Sequence, residues 1–177
     1  MKLIQIIGAA CLAASTAYAQ SQTPPAQPAP PPCQEAVFHQ FDFWTGEWEV
    51  FTPQGQKAGE NSITVEENGC LLVERWNGAG GSTGQSYNFV DLETGKWRQV
   101  WVSPGTTIDY SGALNEKGEM VLEGTIGYAG AASAPFRGVW TPNEDGSVTQ
   151  HFTQYDPEKK VWNDWFIGVY KRKAAED

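Results

Sequence analysis

Glu74 is the side chain in this sequence best placed to do chemistry. It lies in Cys70-Leu-Leu-Val-Glu-Arg-Trp76, a stretch that alternates as a strand would. In a strand Cys70, Leu72, Glu74 and Trp76 share one face, and Leu71, Val73 and Arg75 the other. Desolvation raises the pKa of a carboxyl held among Trp and Leu side chains, as a general acid or base near neutral pH requires. A second stretch, Lys96 to Val102, puts Trp97, Gln99 and Trp101 on one face against Arg98, Val100 and Val102. Two rings and an amide suit a flat ligand with a hydrogen-bonding edge.

Other stretches extend the set. Ser86, Asn88, Tyr110, Gln150 (with Val148 and Phe152), Trp162, Phe166 and Tyr170 fall on inward faces of alternating runs. The expected ligand-binding residues are Glu74, Trp76, Ser86, Asn88, Trp97, Gln99, Trp101, Tyr110, Gln150, Phe166 and Tyr170. Each has a structural use as well. Trp and Tyr fill barrels with one polar partner apiece. Gln99, Gln150 and Asn88 can satisfy each other or a buried water, and Glu74 can pair with an Arg on a neighbouring strand. As a group they favour a cavity, since so many polar side chains are costly in a solid core.

Other chemistries find less. His39 and His151 are the only histidines, and a metal needs three or four converging ligands, so no metal site is expected. Haem-binding barrels use a single proximal His, which makes His151 the one candidate for that role. No Ser-His-acid order is readable, and no Gly-rich loop precedes a helix. Gly78 to Gly84 reads as a flexible rim.

These residues are positioned by strands. Alternation and turn chemistry predict ten: Trp48 to Thr52, Ser62 to Glu67, Cys70 to Trp76, Gln85 to Val90, Lys96 to Val102, Thr107 to Leu114, Glu119 to Ile126, Phe136 to Thr141, Ser147 to Tyr155 and Val161 to Lys171. Turns such as Asn68-Gly69, Thr94-Gly95 and Lys117-Gly118 separate them. Short turns make sequence neighbours spatial neighbours, giving an antiparallel meander. Closing it into an all-β, up-and-down barrel removes its edges and leaves room for a small ligand. A two-sheet sandwich is the alternative. Gln34 to Phe43 predicts a short helical plug, with Val37, Phe38 and Phe41 on one face.

The N-terminus reads as a signal peptide over residues 1–19, with Lys2, an apolar run from Leu3 to Ala14, and Ala17-Tyr-Ala19 before the cleavage point. A Pro-rich linker, 20–33, follows, then the barrel, 34–173, and a disordered tail, 174–177. Cleavage removes Cys11, and the remaining pair, Cys33 and Cys70, reads as one disulfide in an oxidising compartment, periplasmic or extracellular. The formal charge of −9 argues against nucleic acid and anionic membrane as partners, and no membrane insertion is expected.

Gly46-Glu-Trp48 at the start of the first strand resembles the Gly-x-Trp signature of the calycins, the lipocalins and their relatives. That resemblance implies that Trp48 closes the barrel floor and that Arg172, from the last strand, packs over it. The wider pattern runs from Phe41-Asp-Phe-Trp-x-Gly-Glu-Trp48 through Gly69-Cys-Leu-Leu, Gly95-x-Trp-x-Gln-x-Trp101 and Asp145-Gly-Ser-Val148 to Trp162 and Tyr170. It is similar to a bacterial calycin-like family of unknown function and covers residues 33 to 173. The family carries no agreed catalytic residues, and where it usually has an acid two residues past the second Trp, this chain has Ser103. The expectation is an exported barrel that binds a small molecule. The alternatives are an enzyme using Glu74, or an envelope interaction protein with a filled barrel.

Overall fold

The computed structural model describes residues 31–174. The predicted signal peptide lies outside the described residues, as do most of the Pro-rich linker and all but the first residue of the tail. Ten strands follow in order: β1 (Gly46–Phe51), β2 (Lys57–Glu66), β3 (Leu71–Gly78), β4 (Thr83–Asp91), β5 (Lys96–Ser103), β6 (Thr106–Leu114), β7 (Met120–Tyr128), β8 (Ala134–Pro142), β9 (Val148–Asp156) and β10 (Val161–Arg172). Each pairs antiparallel with its sequence neighbours, and β1 pairs with β10, so the sheet closes as an all-β barrel.

β2 starts at Lys57, five residues before the predicted start at Ser62. Lys57-Ala-Gly-Glu-Asn has no β-branched or aromatic residue, so its strand signal is weak. The neighbouring strand supplies what it lacks. Gly59 sits opposite Gly78 beneath the Trp76 ring, where a Cβ on Gly59 would come within 2.7 Å of that ring.

The predicted helical plug is two 3-10 turns, Ala36–His39 and Asp42–Trp44. They bury Phe38, Phe41 and Trp44. Phe41 stacks on Trp44 with centroids 4.9 Å apart and meets Trp97 and Trp140 edge-on at 5.5 and 5.2 Å. Trp97 Nε1 donates to the Val37 carbonyl at 3.0 Å. The Cys33–Cys70 disulfide fastens this segment to the turn before β3, across a separation of 37 residues. Chain-entropy arguments value a loop of that length at about 4 kcal/mol.

β1 and β10 meet at the floor. Trp48 lies opposite Arg172 in register, donates Nε1 to the Trp44 carbonyl at 2.9 Å, and has the Arg172 guanidinium 4.2 Å from its ring centroid. Arg172 Nη1 donates to the Thr45 carbonyl at 2.7 Å. This crossing explains the glycine of Gly46-Glu-Trp48: Gly46 has φ +120°, and a Cβ there would run into Arg172 Nη1.

Arg172→Ala is expected to cost about 1 kcal/mol, lowering Tm by about 3 °C with the fold retained. Gly46→Ala should cost about 2 kcal/mol. In thermal unfolding the double variant should lose less than the sum, because the clash is with a guanidinium already removed. Strict additivity would show that the two residues do not meet in solution.

Candidate functional site

The barrel interior is layered. At the plugged end lies the aromatic floor of Phe41, Trp44, Trp97 and Trp140. At the other end a cavity of about 250 Å³ opens between the strands. A belt of polar side chains separates the two.

Glu74 is central to the belt and only 4% exposed. Its Oε1 accepts from Asn61 Nδ2 of β2 at 2.7 Å, and its Oε2 from Ser86 Oγ of β4 at 2.6 Å. Among the described residues no Arg reaches it: the adjacent Arg75 points outward to Thr64 and Glu66. Beyond Ser86, Asn88 Nδ2 donates to Ser86 Oγ at 2.9 Å and to the Leu72 carbonyl at 3.1 Å. Gln99 Nε2 donates to Asn88 Oδ1, and the Tyr110 hydroxyl donates to Gln99 Oε1. On the other flank Asn61 Nδ2 also donates to the Tyr170 hydroxyl at 3.2 Å, which in turn donates to Gln150 Oε1 at 2.8 Å.

One carbonyl sets the direction of the longer flank. The Leu72 oxygen can only accept, so it takes the amide nitrogen of Asn88. Asn88 Oδ1 then faces Gln99, which must offer Nε2, leaving Gln99 Oε1 for a donor, the Tyr110 hydroxyl. Every bond from Tyr110 to Glu74 therefore donates toward the carboxyl. Aligned bonds of this kind polarise one another.

Burial pushes the Glu74 carboxyl up to about 7, against the opposing pull of the Ser86 and Asn61 hydrogen bonds. Burial, reinforced by the nearby Glu74 charge, holds the Tyr110 and Tyr170 hydroxyls well above their usual range.

The cavity wall takes Glu74, Gln99, Gln150 and Tyr170 from the belt, and Ala58, Trp76, Ser82, Trp101, Ile108, Phe152, Trp165 and Phe166 from the open end. Seven of the eleven residues expected to bind ligand therefore border it: Glu74, Trp76, Gln99, Trp101, Gln150, Phe166 and Tyr170. Ser86, Asn88 and Tyr110 lie in the belt and do not line the cavity. Trp97 is displaced further, into the floor against Phe41. It shares a face with Trp101 but stands four residues away, roughly 13 Å along the strand. Gln99 spends both ends of its amide within the belt, whereas Gln150 Nε2 has no partner among the described residues.

Two further expectations are corrected. Trp162 faces outward, 48% exposed against Tyr155, and does not border the cavity. The pairing of β9 with β10 shifts between Asp164 and Phe166, leaving Trp165 as the extra residue of a bulge. A bulge reverses the side-chain parity on its far side. His151 also faces outward, its Nε2 2.7 Å from Asp164 Oδ1, so it cannot ligate a haem inside the barrel.

Sequence reasoning missed Asn61 and Trp165. Extending the alternation of Ile63 back through Asn61 and Gly59 points to Asn61. Trp165, 45% exposed, enters the wall only because of the bulge, which no local residue announces. It leans on Phe136 at 5.5 Å and donates Nε1 to the Tyr128 hydroxyl at 2.9 Å. Among the described residues no three His, Cys, Asp or Glu side chains converge as a metal site would require.

A scan of protein-family models finds none that matches this chain, and a search of curated protein sequences finds no match either.

The Glu74 environment makes a signed prediction. In the unfolded chain this carboxyl ionises near its ordinary 4.5, and in the folded chain near 7. Between those values the folded state holds a proton that the unfolded state has lost. Its contribution is complete below about pH 4.5 and fades as pH rises to 7, an amplitude of about 3 kcal/mol. In urea unfolding the wild type should lose stability relative to Glu74→Gln across that window. Parallel curves for the two proteins would contradict the assignment.

Proposed function

We propose that this chain is an exported, calycin-like binding protein that takes one small, flat, mostly apolar molecule with a polar edge into the open end of its barrel. The observation that carries this reading is the cavity: aromatic walls that end on a polar belt bearing a single carboxyl. Its volume of about 250 Å³ exceeds the roughly 150 Å³ of a dry engineered cavity that holds benzene, so one or two fused rings fit. Gln150 Nε2 and the Glu74 carboxyl supply the polar edge. The cavity also speaks against an interaction protein with a filled barrel.

The predicted signal peptide and the Cys33–Cys70 disulfide support export. The outer wall carries pairs such as Arg98–Asp109, Arg137–Glu123 and His151–Asp164. A charged exterior around an aromatic interior inverts the pattern of a membrane barrel, which supports a water-facing protein with no membrane insertion. The charge of −9 supports no nucleic-acid partner. The family membership proposed here rests on Gly46-Glu-Trp48 with Arg172 across it, and on the closed ten-stranded barrel.

The Glu74 carboxyl, pushed up to about 7, favours a second reading, in which it acts as general acid or base on the bound molecule. Glu74→Gln separates the two once a turnover is in hand, since an enzyme would keep binding and lose the reaction.

Quinoline at pH 8, a neutral two-ring probe, should bind one to one with a Kd on the order of 0.1–1 mM, as the usual free energy per ligand atom allows. Calorimetry and quenching of Trp fluorescence should report the same constant. Ala58 is small and lines the cavity, so Ala58→Trp should fill it and abolish binding. Absence of saturable binding, or binding that survives Ala58→Trp, would refute the pocket.

A further inference from the structure

Glu74 is surrounded as a carboxylate is surrounded, yet it lacks one thing. Both of its oxygens already accept a hydrogen bond, from Asn61 Nδ2 at 2.7 Å and from Ser86 Oγ at 2.6 Å. The Leu72 carbonyl locks the donors behind Ser86 so that they too point at the carboxyl. A site built to hold a neutral acid would offer it an acceptor; both contacts here are donors, and the orientation that makes Asn61 a donor leaves its own Oδ1 without a partner among the described residues. What is missing is the counter-charge: among the described residues no Lys, Arg or His is buried.

The cavity begins at this carboxyl, and half of its lining residues are aromatic. Trp76, Trp101, Trp165, Phe152 and Phe166 stand around it with Tyr170 at the base. Aromatic rings attract a cation electrostatically and do so more strongly out of water. The whole chain carries a formal charge of −9, which raises the local concentration of cations over anions.

We propose that the cavity takes an organic monocation, a protonated amine or a cationic nitrogen heterocycle, with its charge against the Glu74 carboxylate and its flat body among the surrounding rings. The proposal rests on the binding reading above and gives it a ligand class. The incoming cation replaces the proton of Glu74: the O–H bond of the acid breaks, the proton leaves to solvent, and the ion pair forms in its place. The other titratable groups facing Glu74 are Tyr110 and Tyr170, whose hydroxyls stay neutral throughout this range.

The test uses the full exported chain, N-methylquinolinium as a permanent cation and quinoline as its neutral counterpart. By calorimetry at pH 8.5 the cation should bind at least tenfold tighter than quinoline. Between pH 8.5 and pH 5.5 the cation should lose at least tenfold in affinity. At pH 6, titration in buffers of different ionisation enthalpy should show close to one proton released per cation bound. In Glu74→Gln the affinity ratio between the two probes should collapse to within about threefold. Equal affinities at pH 8.5, or no proton release at pH 6, would overturn the cation assignment while leaving the pocket intact, and both readouts come from the wild type. Binding of neither probe would overturn the pocket as well.

Discussion

A carboxyl inside an aromatic barrel must either keep its proton or be surrounded by donors. Glu74 meets this constraint with a relay of side chains drawn from β2, β4, β5 and β6. The relay fixes the register of the barrel, because a one-residue slip of any of these strands would carry its polar member to the outer face and leave a neighbour unpaired. It also divides the interior. Below it, rings pack on rings; above it, the wall opens.

The floor is held by different means. Gly46, Trp48 and Arg172 form a crossing at which β1 meets β10, and the plug residues Phe41 and Trp44 complete the layer beneath. Two partly independent regions result, an aromatic base and a polar-edged mouth. The disulfide belongs to the base, since it ties Cys33 beside the plug to Cys70 ahead of β3.

Much of this could be read from the residues. Alternation placed Glu74 and Trp76 on one face, and Trp97, Gln99 and Trp101 on another, and the structure turns both faces inward. Turn residues gave the strand count because Gly and Asn mark left-handed positions such as Asn68, Gly95 and Gly118. Depth was not legible: parity says which way Trp97 points, and nothing in it says that Trp97 lies with the floor. Partners were not legible either, since Asn61 meets Glu74 across a pairing that begins in a stretch of weak strand propensity. Trp162 and Trp165 exchanged places because one inserted residue inverts everything beyond it.

The order of the strands has a consequence for how the barrel comes together and where it yields. Every strand but the first and last finds both partners next to it in sequence, so nine hairpins can form by short-range closure. Among the described residues the β1–β10 pairing alone joins the first and last strands of the barrel, over four register pairs from Trp48–Arg172 to Phe51–Val169, where the other ladders hold six or more. Contacts between distant residues carry the largest loop-closure cost and tend to form late. The seam is therefore the last element to zip and the first to part, and a barrel opened there exposes two free edges while the hairpins on either side stay folded.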